Sequence, residues 1–427
     1  MQFFIFLTLF TTLLFGDINL IKKGNPDSNT TLLVIGGIHG NEPGGYFAPA
    51  ILATHYKIKT KALWVIPNLN KESIIAYKRG IHGDMNRKFA GMKKGDKDKK
   101  IVDAIKKIIL NKKVSLILNL HDGHGFYRHK YQTPVFNPKA WGQACIIDQC
   151  ALNKKQPYYN LESIATKVQK SVNKNLLRNY HLFNVKNTKT KKHDRAMQLS
   201  LTYFAVTHNK PAFAIETSKY LSKVEQKVFY QLCAIEGFMK IMGIQFSRDF
   251  KLNEKNIKKI IKDYGILEIN HNILLNLNHI KKTLSYIPIK SKNNNFYFSN
   301  PLGVAKKNKN GIYDIFIGNI KVTSLKPEYF KIAQDCPNKI DVIVDGELIS
   351  LKNTSSFLVK DDFKIVKNKN YRVNVIGYPS QKSDESGVKI AKKDLVKRYA
   401  IDKTNSIYRI ELYKKNNFCS MLMVKFK

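Results

Sequence analysis

His39 and Glu42 lie three residues apart in GGIHGNEPGG. An imidazole nitrogen and a carboxylate are ordinary ligands for zinc, which in a catalytic site keeps one position open. Glycines on both sides let the backbone bend sharply and leave room above the two side chains. A further ligand is needed, and His121 supplies one where the apolar run VSLILNL gives way to HDGHGF. Glu216 ends another apolar run, AFAIE, and adds a carboxylate at a further strand end. Asn86 and Arg87 are neighbours in GDMNRKF. A planar guanidinium matches a carboxylate and the amide adds a neutral donor, which is what recognition of a chain terminus requires. An HxxE pair alone arises often by chance. HxxE, then strand–His, then strand–Glu is far more specific.

The elements that must position these groups are legible in the hydrophobic pattern. TLLVIGGI (Thr31 to Ile38), ALWVIPN (Ala62 to Asn68), VSLILNL (Val114 to Leu120) and AFAIE (Ala212 to Glu216) are continuous apolar runs without alternation. Helical spacing marks Lys97 to Leu110, Leu161 to Leu177 and Val224 to Met242. Buried strands separated by helices predict a sheet covered on both faces, hence an α/β domain. His39, His121 and Glu216 all fall at carboxyl ends of strands, the edge where open α/β sheets bind ligands. After about Phe246 the pattern becomes short alternating runs such as IYDIFIGNIKV, KIDVIVDGELI and IYRIELYKK, with turn-prone residues between them. That is an all-β texture. The domain boundaries read from these shifts are a leader over 1–16, a catalytic domain over 17–246, a small β-rich domain over 247–335 and a β-sandwich-like domain over 336–427.

The 427 residues carry a formal net charge of +41, from 73 Lys+Arg against 32 Asp+Glu. Such an excess suits an anionic partner: nucleic acid, a membrane surface or a wall polymer. Lysine outnumbers arginine and Asn is frequent, so compositional bias accounts for part of it. The apolar run Phe3 to Phe15 has the length of a signal-peptide core and is too short to span a bilayer well. No later segment is apolar enough to cross a membrane, so the mature chain is expected to have no transmembrane segment. The five cysteines form no CxxC pair, which argues against a zinc-thiolate site. In an oxidising compartment Cys145–Cys150 or Cys336–Cys419 could pair.

Together these motifs resemble the zinc carboxypeptidase family over residues 30–245, with His39 and Glu42, Asn86 and Arg87, His121 and Glu216 in the family's order. The resemblance is closer to the peptidoglycan carboxypeptidases that set helical cell shape in certain curved bacteria. Those have a signal peptide, a compact catalytic domain and two small β-rich C-terminal domains. One member carries Gln in place of the first histidine ligand; this sequence keeps His39. The resemblance implies a mixed sheet flanked by helices followed by two β-rich domains. It also implies one Zn2+ held by His39, Glu42 and His121, with Glu216 as the general base that takes a proton from water and returns one to a leaving amine. The implied activity is release of meso-diaminopimelate from muramyl tripeptide to leave dipeptide, in the periplasm. Arg79, in YKRGIHGD, is the candidate to stabilise the oxyanion, Tyr203 in LTYF the candidate lid tyrosine, and Trp141 a candidate pocket wall. Asp122 would orient a ligand or cap a turn, and His124 reads as a loop histidine. Expected partners are peptidoglycan and muropeptides, and other cell-shape proteins through the β-rich domains. A basic surface would concentrate that carboxylate-rich polymer, and no nucleic acid is expected. The alternative enzyme is an N-acyl amino acid deacylase of the aspartoacylase and succinylglutamate desuccinylase type, which shares GG-x-HGNE and an Asn-Arg pair. A non-enzymatic binding protein is disfavoured by retention of the ligand set and of Glu216.

Overall fold

The structure, a computed structural model, describes residues 13–15 and 18–427. The chain forms two compact units, one ending at Lys262 and the other spanning Asp263–Lys427. The leader expected over 1–16 lies outside the described residues apart from Leu13–Phe15, whose backbone pairs antiparallel with Ile18–Gly24.

The first unit is built on one eight-stranded mixed sheet. Its order is Leu13–Phe15, Ile18–Gly24, Ala62–Ile66, Thr31–Ile35, Val114–Gly123, Ala212–Ser218, Ala144–Ile147 and Asn184–Asn187. The four central strands, Ala62–Ile66 through Ala212–Ser218, run parallel, and antiparallel pairings flank them on both sides. TLLVI and ALWVI are buried at every residue, as a doubly covered sheet requires. Helices Pro43–His55, Leu161–Asn173 and Val224–Ile241 pack together on the sheet. Lys99–Ile109 and Leu201–Thr207 form a second group, joined where Lys106 Nζ sits 5.0 Å from the Phe204 ring.

From Thr31–Ile35 the chain passes first to Ala62–Ile66 on one side and later to Val114–Gly123 on the other. The strand order therefore reverses at Thr31–Ile35, and such a switch point opens a crevice above the carboxyl ends of the strands. The turn carrying His39 and Glu42 emerges there. The helix it leads into begins with Pro43, whose fixed φ and missing N–H suit a first helical turn. This helix comes so close to the strand end that a Cβ on Gly36 would lie 2.1 Å from the Gly45 carbonyl oxygen, so only glycine fits at 36.

The strand Phe246–Arg248 and the helix Glu254–Ile261 belong to the first unit, which thus runs past the texture change at Phe246. The second unit is built of strands, with two single helical turns at Lys392–Asp394 and Lys397–Tyr399. A three-stranded and a four-stranded sheet precede residue 330, and two four-stranded sheets follow. The latter two enclose a core that includes Ile340, Val342, Phe363, Ile365, Ile410, Leu412, Leu422 and Val424. Cys336 and Cys419 form a disulfide; Cys145, Cys150 and Cys233 are free thiols. The bond ties positions 83 residues apart, so it removes much chain entropy from the unfolded state. Changing Cys336 and Cys419 together to Ser is expected to lower stability of the second unit by about 3–5 kcal/mol. Denaturant unfolding of the whole chain, followed by tyrosine fluorescence, reads this; an unshifted midpoint would remove the disulfide's stabilising role.

Candidate metal centre and active site

Both strands expected to end at a site residue continue past it. Val114–Gly123 contains His121 and Ala212–Ser218 contains Glu216. The two strands pair in parallel register, with His121 directly beside Glu216. Gln231, fully buried on the helix Val224–Ile241, donates its amide to the carbonyls of His121 (2.7 Å) and Ile215 (3.2 Å), so one side chain fastens both strands.

One ligand atom from each of His39, Glu42 and His121 lies within 4.8 Å of the others. His39 Nδ1 is 3.1 Å from Glu42 Oε1, and His121 Nδ1 is 2.9 Å from Glu42 Oε2. All three residues are at most 3% exposed. The Nε2 of His39 points away from the cluster and donates to Asp84 Oδ1 at 2.8 Å, an outer partner that fixes the ring's orientation. Two imidazoles and a carboxylate converging through inward-facing atoms fit a divalent cation.

The electrostatics describe a metal-free site in which protons stand where a cation belongs. Burial alone would lower the His39 pKa, but the Glu42 carboxylate and the Asp84 bond outweigh it and raise it to about 9. Burial lowers His121, leaving it neutral. Burial would raise Glu42, yet the two histidines hold its carboxyl well below the usual range. Asp84 is likewise held low against its burial by His39 and the nearby arginines. Burial and the Glu42 charge push the Glu216 carboxyl up.

A pH dependence follows from His39. It is protonated below about 9 in the metal-free protein, and a cation must displace that proton. Apparent metal affinity is expected to fall about tenfold for each pH unit below that value. Conversely, the raised pKa adds stability to the metal-free fold that is full below 6.5 and is lost as pH rises through about 9. Calorimetric metal titrations in buffers of different ionisation heat check this, with proton release at neutral pH expected.

Arg79 reaches the centre: Nη1 is 3.3 Å from Glu42 Oε1 and Nε is 2.9 Å from Asp84 Oδ2. Its loop is held down by Lys88, whose Nζ donates to the His82 carbonyl, Asp96 and Asp98. Asn86 is buried; its N–H donates to Asp84 Oδ1 (2.9 Å) and its amide oxygen accepts from the Leu201 N–H (3.0 Å). Arg87 is partly exposed and donates Nη1 to the Asn86 carbonyl. Trp141 is partly exposed, packs on Tyr127, Ala144, Ile146 and Ala214, and lies under Lys186 Nζ at 4.3 Å. A Cβ on Gly123 would stand 2.8 Å from Glu216 Oε2, from Trp141 C and from Gly142 N, so a larger residue at 123 would push the carboxylate off the wall.

Tyr203 sits in the first turn of Leu201–Thr207 with its N–H capped by the Ser200 hydroxyl, and among the described residues no hydrogen bond joins it to the cluster. Tyr220 is the exposed aromatic that reaches the site loop, its hydroxyl 2.9 Å from His124 Nε2. Asp122 accepts from the Gly44 N–H (2.9 Å) and the Thr217 hydroxyl, so it caps the helix that follows Glu42. Sequence reading missed Asp84, Lys219, Tyr220 and Gln231. Lys219 Nζ lies 3.4 Å from Glu42 Oε1.

The fold and centre define a metallocarboxypeptidase. The model of the family described as carboxypeptidase controlling helical cell shape, catalytic, matches residues 2–262, and that for a C-terminal domain of metallo-carboxypeptidase matches 333–427. The chain belongs to that family of carboxypeptidases controlling helical cell shape. The apo cell shape determinant protein Csd4 from Helicobacter pylori is similar in structure, with TM-score 0.87 and 34% identity, covering 96% of this chain and 100% of that one. Its tripeptide-bound form matches at TM-score 0.86 and 34% identity over the same shares. The mDAP-bound form, a D,L-carboxypeptidase, matches at 0.87 and 34% over 95% of this chain and 100% of that one. A succinylglutamate desuccinylase/aspartoacylase from Rhodobacter sphaeroides matches at 16% identity and TM-score 0.38 over 55% of this chain and 61% of that one, too slight to bear on activity. No curated protein matches by sequence.

Proposed function

We propose that the chain is an exported, periplasmic, zinc-dependent DL-carboxypeptidase that trims peptidoglycan stem peptides, releasing meso-diaminopimelate from muramyl tripeptide to leave dipeptide. The observation that carries the reading is the convergence of His39, Glu42 and His121 with Glu216 in register beside His121. The tripeptide and mDAP bound by the similar Csd4 structures support the substrate class. Among the described residues no helix is long and apolar enough to cross a membrane.

His39, Glu42 and His121 would hold one Zn2+, which when bound supplies Lewis acidity that polarises the scissile carbonyl and acidifies a water. Glu216 takes that water's proton and delivers one to the leaving amine. Arg79 stabilises the developing oxyanion from the opposite loop. Asn86 and Arg87 hold the leaving residue's carboxylate, with Asn86 fixing the loop and Arg87 reaching out from it. Trp141 forms the wall beside Glu216. Tyr203 keeps its proposed lid role only if its helix start moves over the substrate. The second unit is proposed to comprise two modules meeting near residue 335, which present the enzyme to the wall or to other cell-shape proteins.

The test is mass spectrometry of purified muropeptides before and after incubation, with and without a chelator. Conversion of tripeptide to dipeptide that the chelator stops is expected. Intact tripeptide alongside hydrolysis of N-acyl amino acids would replace this reading with a deacylase.

A further inference from the structure

Two cations from separate elements converge on one oxygen of Glu42. Arg79 arrives from the loop that carries Asp84 and Arg87, and Lys219 from the end of the strand that carries Glu216. They differ in what else holds them. Arg79 keeps Asp84 through its Nε. Among the described residues Glu42 is the only acidic group within ion-pair distance of Lys219. The Lys219 side chain is 35% exposed, so its amine can leave Glu42 for solvent or ligand without crossing packed protein.

The backbone beneath it is pinned. The Lys219 N–H donates to the Gly123 carbonyl (2.8 Å), the Ser218 hydroxyl donates to the Gly125 carbonyl (2.6 Å) and Tyr220 bonds His124. Only the four-carbon stem of Lys219 is free to swing. A divalent cation held by Glu42 repels an ammonium at such range and takes over the charge the ammonium was pairing. A loaded centre therefore frees the Lys219 amine from Glu42.

We propose that Lys219 is a specificity residue: released from Glu42 by metal loading, it binds a carboxylate carried by the acyl-side residue next to the scissile bond. This rests on the stem-peptide reading. A γ-linked glutamyl residue has such a group, its free α-carboxylate, three carbons from the scissile carbonyl. Most α-linked residues carry no carboxylate at that reach. Lys219 thus supplies a reason for the enzyme to prefer an acyl-side residue that bears a carboxylate, as a γ-glutamyl residue does.

The test compares the zinc-loaded parent, Lys219→Met and Lys219→Arg on two muramyl tripeptides, one with the free glutamyl α-carboxylate and one with the α-carboxamide. The parent is expected to favour the carboxylate form in KM by roughly tenfold to hundredfold, the usual strength of a charged hydrogen bond. Lys219→Met should bring that ratio near one, and Lys219→Arg should restore most of it. Calorimetric binding of the dipeptide product to the same loaded proteins gives a readout independent of turnover, with the same loss expected. Lys219→Gln replaces Lys219→Met if the latter does not fold. Full discrimination retained without the lysine sinks the proposal alone. A parent that cleaves neither peptide sinks the stem-peptide reading and this proposal with it.

Discussion

Glu216→Ala is expected to lower kcat by about 10²- to 10⁴-fold, the usual contribution of a positioned general base, while the protein still binds one metal ion. The reason lies in the sheet. Glu216 pairs in register with His121 but is not among the ligand atoms that cluster with it. Its carboxylate lies against Gly123, at the foot of the same crevice. Removing it leaves both strands joined through Gln231 and their backbone ladder. Burial and the Glu42 charge raise the Glu216 carboxyl in the metal-free protein. The base form is therefore the one that appears as pH rises, and activity of the parent should climb with pH on its acid side. That limb should vanish in the variant. Metal analysis beside steady-state kinetics separates the outcomes: turnover near the parent's value would end the general-base role, whatever the metal content.

The second large effect is expected from His121→Ala. The variant should lose metal at concentrations that saturate the parent and with it about 10³-fold or more of activity, since a bound cation contributes several kcal/mol to such a transition state. His121 is buried, neutral and bonded to Glu42 through Nδ1, so binding a cation asks it only to shift its proton to Nε2, with no net loss. Loss of its ring also leaves Glu42 with one fewer partner at the centre of a buried cluster, a costly position for a carboxylate. The apo variant should thus unfold at lower temperature than the apo parent. Equilibrium dialysis with zinc and a thermal scan measure both. Undiminished metal binding would show that His121 is not a ligand.

How much of this could be read from the residues alone follows from where each constraint is stored. His39 and Glu42 share one glycine-rich turn, so their association is local and legible. His121 and Glu216 were reached through the logic of strand ends, although both strands continue two residues further. Their direct adjacency is a matter of parallel register, which depends on every strand in the sheet and is written nowhere locally. Asp84 was missed although it stands two residues before Asn86; the signal was an acidic residue at the start of a one-turn helix, too common to single out. Lys219 was hidden by composition, one of 73 basic residues with nothing in its neighbourhood to set it apart. Tyr220 was not named because sequence offers no way to tell which aromatic a loop turns toward His124. The disulfide partner of Cys336 was one of two pairings left open, and proximity across a folded β core decided it.

The parallel ladder between His121 and Glu216 has a consequence for how such an enzyme can diversify. Ligand and base are spaced by backbone hydrogen bonds, not by the connections between the strands. The segments that leave those strands, residues 124–143 and the turn 219–223, can lengthen, shorten or change composition without altering the distance between the two groups. Evolution can therefore rewrite what enters the crevice while inheriting the hydrolytic machinery unchanged. Swapping those segments between relatives is a practical route to new cleavage preferences on the same chassis.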